Sequence, residues 1–208
     1  MKIQRNGQRF AVYFAGLVLV SMGIVLCKKC NLGISPISSI PFVLEEILPF
    51  SFGTLTMFFH LANIALQLIL VRKLWDLRIL LQIPVAFLFG IVIDLLQKQI
   101  SFQNEFWINQ WIALVLSVLF TALGMVLMIG MNLVQNPPDG LVKVISQKTK
   151  KELGQVKIVY DIISVFISIF IGLVFLGKVK GIGIATIISA VFVGRTVTFL
   201  KKIIKFER

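Results

Sequence analysis

The stretch NLGISP at residues 31–36 returns as NLVQNP at residues 132–137, so the chain carries one loop pattern twice. The shift of 101 residues between them also places Gly23 on Gly124 and Gly53 on Gly154. Each copy contains an apolar run, a proline-marked loop, a short helical stretch and two more apolar runs. A fixed period of this kind is typical of internal structural repeats. The sequence therefore predicts repeat one at about 10–97 and repeat two at about 107–200.

Long apolar runs make up most of the chain, at about 10–27, 52–71, 79–97, 107–130, 156–177 and 181–200. Hydrophobic residues account for 58% of the sequence and charged residues for 14%, whereas a soluble domain carries about 25% charged residues. Each run is long enough to cross a ~30 Å hydrocarbon core as a helix. We predict an all-α protein with six transmembrane helices, which forms one membrane domain over residues 1–208 and has the lipid bilayer as its partner.

The three crossings in each repeat determine its direction in the membrane. A segment that crosses three times ends on the side opposite to its start, so the second repeat must begin on the other side. The two repeats are therefore predicted to be inverted three-helix repeats, which are typical of secondary transporters.

The basic residues are distributed unevenly between the two sides. With the N-terminus placed in the cytoplasm, five Lys residues fall outside, Arg195 lies within a run, and fifteen basic residues fall inside. The inner set is Lys2, Arg5, Arg9, Arg72, Lys73, Arg78, Lys143, Lys148, Lys150, Lys151, Lys157, Lys201, Lys202, Lys205 and Arg208. This bias predicts that both termini are cytoplasmic in the cell membrane. It also accounts for the net charge of +12 without a nucleic-acid partner.

Both loops place a good N-cap residue directly before a proline, Ser35 before Pro36 and Asn136 before Pro137. Short amphipathic stretches follow at about 41–47 and 141–148. These stretches are too short to span, so each is predicted to be a re-entrant half-helix or an interfacial helix. The free N–H groups at such helix starts can hold an anionic group. The alternative is an ordinary capped helix, and Asp139 weakens the case for an anion in the second copy.

Few ionisable residues lie within the spans, and the repeat shift pairs positions in one copy with positions in the other. His60 falls on Asp161, and Asn63 falls on Ser164. The spacing of three residues puts His60 and Asn63 on one helix face, and Asp161 and Ser164 on one face of the corresponding helix. Ionisable residues within a membrane usually face the protein interior and have a function, so we expect the two faces to line a site.

Two further charges, Asp94 in the third run and Arg195 in the sixth, suggest ion pairs. We predict an Asp161–Arg195 pair and a looser His60–Asp94 pair. His60, Asp94 and Asp161 are candidates for coupling to a proton. The alternatives are that these groups only fix helix packing and that Arg195 extends to the inner headgroups.

No motif in the chain points to an enzyme, a metal site or a cofactor. Cys27 and Cys30 form a CxxC pattern at the end of the first run, where a disulfide is possible. A redox motif would need a thioredoxin-like βαβ setting, and a metal site would need more than the single His. We therefore predict no enzymatic activity, no metal and no cofactor.

The order of several short motifs resembles the YitT/YczE group of bacterial multi-pass membrane proteins. These are Leu32-Gly33-Ile34-Ser35-Pro36, Ser51-Phe52-Gly53-Thr54 with Asn63 ten residues after Gly53, and Asn136-Pro137-Pro138-Asp139-Gly140 followed by Gly154. The chain is similar to the YczE-type branch, without the soluble C-terminal domain of YitT-type members. The resemblance implies a bacterial cytoplasmic-membrane protein, and it supplies no catalytic residues and no substrate.

The leading functional prediction is a secondary transporter or permease for a small solute, anionic or zwitterionic. The alternative is a non-transporting accessory or substrate-binding subunit of a larger complex, and a homo-oligomer or a membrane-protein partner fits either one. The residues predicted to bind substrate are Ser35, Pro36, His60, Asn63, Asn136, Asp139, Asp161, Ser164 and Arg195.

Overall fold

The computed structural model describes residues 6–72, 75–101 and 106–204, with the side chain of residue 6 left out. Of the basic residues counted above, Lys2, Arg5, Lys73, Lys205 and Arg208 lie outside the described residues. Within them the chain is helical and has no strand. The helices are α1 (Asn6–Lys29), α2 (Ser39–Glu45), α3 (Phe52–Val71), α4 (Leu77–Leu80), α5 (Gln82–Gln99), α6 (Trp107–Met131), α7 (Pro137–Thr149), α8 (Leu153–Leu176) and α9 (Ile184–Ile203).

The predicted apolar runs are confirmed as helices of membrane-spanning length and hydropathy, so the chain fits a multi-pass membrane protein. The described residues hold six such spans, at Gly7–Lys29, Phe52–Val71, Leu77–Gln99, Trp107–Met131, Leu153–Leu176 and Ile184–Ile203. The third span combines α4 and α5. The two short helices α2 and α7 follow the prolines, as predicted, and neither is long enough to span.

Contacts within the described residues divide the chain into two compact units. Unit 1 comprises Met1–Ser35, Leu95–Leu133 and Gly183–Arg208, and unit 2 comprises Pro36–Asp94 and Val134–Ile182. Unit 1 therefore contains α1, α6 and α9, whereas unit 2 contains α2, α3, α7 and α8 with most of α5. Each unit includes helices from both sequence repeats.

Unit 1 is held together by the close packing of α1 on α6, which small residues permit. A Cβ built on Gly124 would meet the backbone of Gly16 and the side chain of Val20, and one built on Gly23 would meet Ser117 and Thr121. At the shift of 101 residues, Gly124 corresponds to Gly23, Gly16 to Ser117, and Val20 to Thr121. The contact in one copy thus has its counterpart in the other.

The ends of α1 and α6 share a second matched feature. Asn31 has a φ of 59° and Asn132 a φ of 51°, so both lie in the left-handed region. Asn tolerates this conformation better than most residues because its side chain can hydrogen-bond locally. The asparagine that recurs at the start of each loop therefore turns the chain out of a spanning helix.

Unit 2 places both short helices against the same two spans. α7 packs on α3 and α8, and α2 packs on α8 and α3. The Ser168 hydroxyl donates to the Ser39 carbonyl at 3.0 Å. The corresponding positions are Gln67 and Gly140, and a Cβ built on Gly140 would lie 2.7 Å from the Gln67 Oε1 atom. Matched positions in the two copies therefore touch matched partners.

Candidate functional site

The start of α7 brings polar groups into unit 2. Asn136 is the N-cap residue and Pro137 the first helical residue, as the sequence indicated. The Asn136 side chain makes no capping hydrogen bond, and its amide is hydrogen-bonded to the Asp139 side chain. Its Oδ1 atom is buried and has no hydrogen-bond partner. An unpartnered buried acceptor is rare in folded proteins, where a protein group or an ordered water usually donates to it.

The start of α2 differs from the prediction. Pro36–Ser38 form a 3₁₀ turn, and α2 begins at Ser39 with Ser38 as its N-cap residue. The prediction of Ser35 as the N-cap was wrong because the tighter turn after Pro36 delays the α-helix by three residues. The Ser39 hydroxyl closes that turn by donating to the Pro36 carbonyl at 2.7 Å. Ser35 itself belongs to unit 1.

A charged cluster joins α7 to α8. Lys157 forms an ion pair with Asp161 one turn along α8, and the two side chains are 29% and 12% exposed. The same ammonium also acts on Asp139 of α7. Burial raises the pKa of Asp139, the negative charge of Asp161 adds to this, and Lys157 and Asn136 act in the opposite direction. Two carboxylates thus share one ammonium, and when both are ionised the cluster is one positive charge short of neutrality.

The structure does not support the predicted partner of Asp161. Arg195 lies on α9 in unit 1, and its side chain is exposed. Lys157 is four residues before Asp161 on the same helix face, so the partner is local. Lys157 was counted with the inner charges at the start of the predicted run at 156–177, whereas α8 begins at Leu153, so Lys157 lies in its second turn.

The expected approach of α3 to α8 occurs through Asn63. The Tyr160 hydroxyl donates to the Asn63 Oδ1 atom at 2.7 Å, and the Asn63 Nδ2 atom donates to the Phe59 carbonyl at 2.7 Å. The Ser164 hydroxyl donates to the Tyr160 carbonyl of its own helix, and the Ser164 carbonyl accepts from Ser39 at 3.3 Å. Asn63 and Ser164 therefore join helices, and most of their hydrogen-bonding groups are already used.

His60 and Asp94 do not form the predicted pair. His60 is 3% exposed, its ring meets Phe89 edge-on with centroids 5.3 Å apart, and its buried Nδ1 atom has no partner. Asp94 accepts from the Ser51 hydroxyl at 2.5 Å and from the Gly53 N–H at 2.9 Å. The carboxylate is drawn to the free N–H groups at the start of α3, two turns before His60. Asp94 therefore stabilises a helix start.

A buried pair of amide side chains, Gln67 and Gln82, was not predicted from the sequence. Gln67 and Gln82 donate to each other at 2.9 Å, and Gln67 also donates to the Pro137 carbonyl at 3.0 Å. Both side chains are buried. They connect α3, α5 and the first turn of α7. Both glutamines lie within predicted apolar runs, and neither was among the predicted site residues.

The cysteines of the CxxC pattern are both buried and free. The Cys30 thiol donates to the Cys27 carbonyl at 2.9 Å, so the possible disulfide is not formed. Among the described residues, no group of three or more His, Cys, Asp and Glu side chains has a geometry that could hold a metal ion.

Comparison with known proteins identifies a family but no activity. A family model described as a family of unknown function (DUF6198) matches residues 7–202. The chain belongs to DUF6198. Searches of curated proteins and of solved structures gave no match. For this DUF6198 chain, the polar site of unit 2 is therefore the feature that bears on function.

Proposed function

We propose that the protein is a secondary transporter of the cell membrane that carries a small solute and catalyses no reaction. The observation that carries the proposal is the placement of the two short helices that follow the prolines. Both α2 and α7 pack on the same two spans, α3 and α8. Interrupted segments at the centre of a membrane domain are the usual substrate sites of inverted-repeat transporters. Non-helical backbone is tolerated at membrane depth only where it is buried in protein or lines a cavity.

The matched contacts support an inverted-repeat architecture. Gly23 and Gly124 have corresponding neighbours in unit 1, and Ser39 and Gly140 have corresponding neighbours in unit 2. Two repeats that pack alike can exchange conformations, which gives alternating access to a site between them. The resemblance to the YitT/YczE group adds a bacterial cytoplasmic membrane to this proposal.

The basic bias supports the orientation, with both termini in the cytoplasm. Arg9 fits this arrangement because its guanidinium donates to the Met131 carbonyl at 2.7 Å, which joins the start of α1 to the end of α6. The two ends would share the inner face.

The charges of the site favour a zwitterionic solute over a purely anionic one. The start of α7, where an anion was expected, already carries the Asp139 carboxylate. Asp139 and Asp161 together exceed the single ammonium of Lys157. A solute with a positive group balances this charge, and Asn136 offers an unpartnered acceptor beside it. We assign substrate contact to Asn136, Asp139 and Asp161, and a helix-joining role to Asn63 and Ser164.

The test is solute flux into liposomes that contain the purified protein, guided by a thermal-shift screen of small metabolites. A ligand at about 100 times its Kd raises stability by roughly 2.7 kcal/mol if it binds only the folded state. We expect saturable flux of a ligand found in this way. Asp161→Asn should lower the flux at least tenfold, whereas Glu152→Gln, an exposed carboxylate at the start of α8, should leave it unchanged.

Two outcomes would reject a carrier. Saturable binding without flux would point to the alternative, a substrate-binding or accessory subunit. Flux that rises linearly with solute concentration would indicate a channel.

A further inference from the structure

The cluster of Asp139, Lys157 and Asp161 has one positive charge too few when both carboxylates are ionised. This deficit bears on how transport of the solute is coupled to an ion. The cluster lies within unit 2, where α7 meets α8. A carboxylate without its own cation is expensive to bury, so in a partly buried site it takes up a proton or a cation. Asp139 is the carboxylate without its own cation, because Asp161 holds the Lys157 ammonium directly.

A second observation at the same place points to a ligand. The Asn136 amide is hydrogen-bonded to Asp139, while its Oδ1 atom is buried without a donor. The acceptor and the carboxylate belong to the same helix turn, three residues apart. An ammonium group carries three N–H donors and one positive charge, so it satisfies both requirements at once.

The groups around Asp139 leave this carboxylate as the one that can exchange a proton for a cation. On α8, the charges of Lys157 and Asp161 act on Asp139, and Asp139 acts on Tyr160; of these three α8 residues Lys157 is the only cation. From α3 and α5 the first turn of α7 meets the amides of Gln67 and Gln82, which are already hydrogen-bonded to each other. The one titratable residue of α3 is His60, which packs on Phe89 of α5. The remaining charges of α7 are Lys143 and Lys148, which lie beyond its first turn.

We infer that Asp139 holds either a proton or the ammonium group of the solute, so that the transporter exchanges an amine-bearing solute for a proton. In the exchange the carboxyl O–H bond breaks and the proton leaves to water. The ammonium then pairs with the carboxylate and donates to Asn136. No electrons are transferred. This inference rests on the proposed transport function and names its substrate class and its coupling ion.

Three small probes of similar size separate the possibilities: ethanolamine, which carries an ammonium group, the zwitterion glycine, and the anion glycolate. Purified protein in weakly buffered detergent is mixed with each probe at a series of pH values, and proton release is followed with a pH dye. Below the pKa of Asp139, ethanolamine or glycine should release up to one proton per protein, and glycolate none. Below the pKa of Asp139, the apparent affinity for the bound ammonium probe should fall about tenfold for each unit of pH, because a proton competes.

Asp139→Asn removes the exchange site and should abolish proton release, while Glu152→Gln should release as the wild type does. If Asp139→Asn does not fold, Asp139→Glu serves in its place, because it keeps the carboxylate and should retain release with a shifted pH dependence.

Each opposing result has its own meaning. Release that persists in Asp139→Asn, release by glycolate, or no release with either ammonium probe would overturn the inference. If a solute still shows saturable flux in liposomes after one of those results, the proposed transport function survives alone. Proton release without flux would support the ammonium site and reject the transporter.

Discussion

The two segments that follow the prolines, 36–45 and 137–149, pack alike but are chemically different. Both lie against α3 and α8, and Ser39 and Gly140 occupy matched positions. The first segment begins with a 3₁₀ turn at Pro36–Ser38 and has no charge in its first turn, whereas the second carries Asp139, on which the charge of Lys157 acts. Packing is therefore shared between the copies, while the charge chemistry belongs to the second copy.

The largest effect should come from the amide pair that anchors the second segment. Gln67→Leu leaves both polar groups of Gln82 and the Pro137 carbonyl without their partner. Unpaired buried groups should reduce the free energy of unfolding by about 1–3 kcal/mol, measured by SDS titration in mixed micelles. Gln67→Leu combined with Gln82→Leu is the control, and it should recover part of the loss. A single variant as stable as the wild type would show that the pair does not anchor α7.

The next effect should depend on pH. Lys157→Gln removes the cation shared by the two carboxylates, which raises the pKa of Asp139 further. A carboxyl group whose pKa is raised in the folded state stabilises the fold below its unfolded pKa. This stability is lost as the pH rises through the folded pKa. We therefore expect a loss of about 1–2 kcal/mol above the pKa of Asp139, less than for a fully buried pair because Lys157 is partly exposed. The loss should shrink as the pH falls through that pKa, and thermal unfolding in detergent at a series of pH values measures it. An equal loss at every pH would contradict the shared-charge cluster.

The corresponding anchor of the first segment should be weaker. Ser168→Ala removes the single hydrogen bond to the Ser39 carbonyl. Interhelical hydrogen bonds in membranes average about 0.6 kcal/mol, so the same SDS titration should show a loss near that value. A loss as large as that of Gln67→Leu would mean that the two segments are anchored equally.

The smallest effect should come from the ion pair of Lys180 with Glu46, which adjoins the first segment. Its side chains are 34% and 35% exposed, and exposed pairs contribute little because solvent screens them. Lys180→Gln should change the free energy of unfolding by less than about 0.5 kcal/mol. A loss larger than that of Lys157→Gln would reverse the contrast between the copies.

The sequence predicted the spans well because hydropathy and length determine them with little help from packing. It also found Asn31 and Asn132 as matched positions, and both take the left-handed conformation that ends a spanning helix. The N-cap at Asn136 could be predicted because a residue directly before proline has few alternatives. The same rule predicted the wrong N-cap residue at Ser35, because the local sequence does not distinguish a 3₁₀ turn from an α-helix.

The partners within the site were harder to predict because they depend on three-dimensional neighbours. Asp94 binds the start of α3, and Asp161 takes Lys157 in place of Arg195. An i, i+4 search would have found Lys157, since the spacing is visible in the sequence. Gln67 and Gln82 are fifteen residues apart, and neither carries a charge, so nothing local marks them as a pair.

The contact between Ser39 and Ser168 also sets a time limit on biosynthesis. The two residues are separated by 129 positions, which a ribosome adding ~5–20 residues per second needs about 6–26 s to cover. Gln67 waits for Pro137, 70 positions on, for about 4–14 s. The first short helix thus emerges long before the span that completes its hydrogen bonds. During that interval its polar serines must be sheltered by the insertion machinery or remain at the membrane surface, and the last quarter of the chain brings it into place.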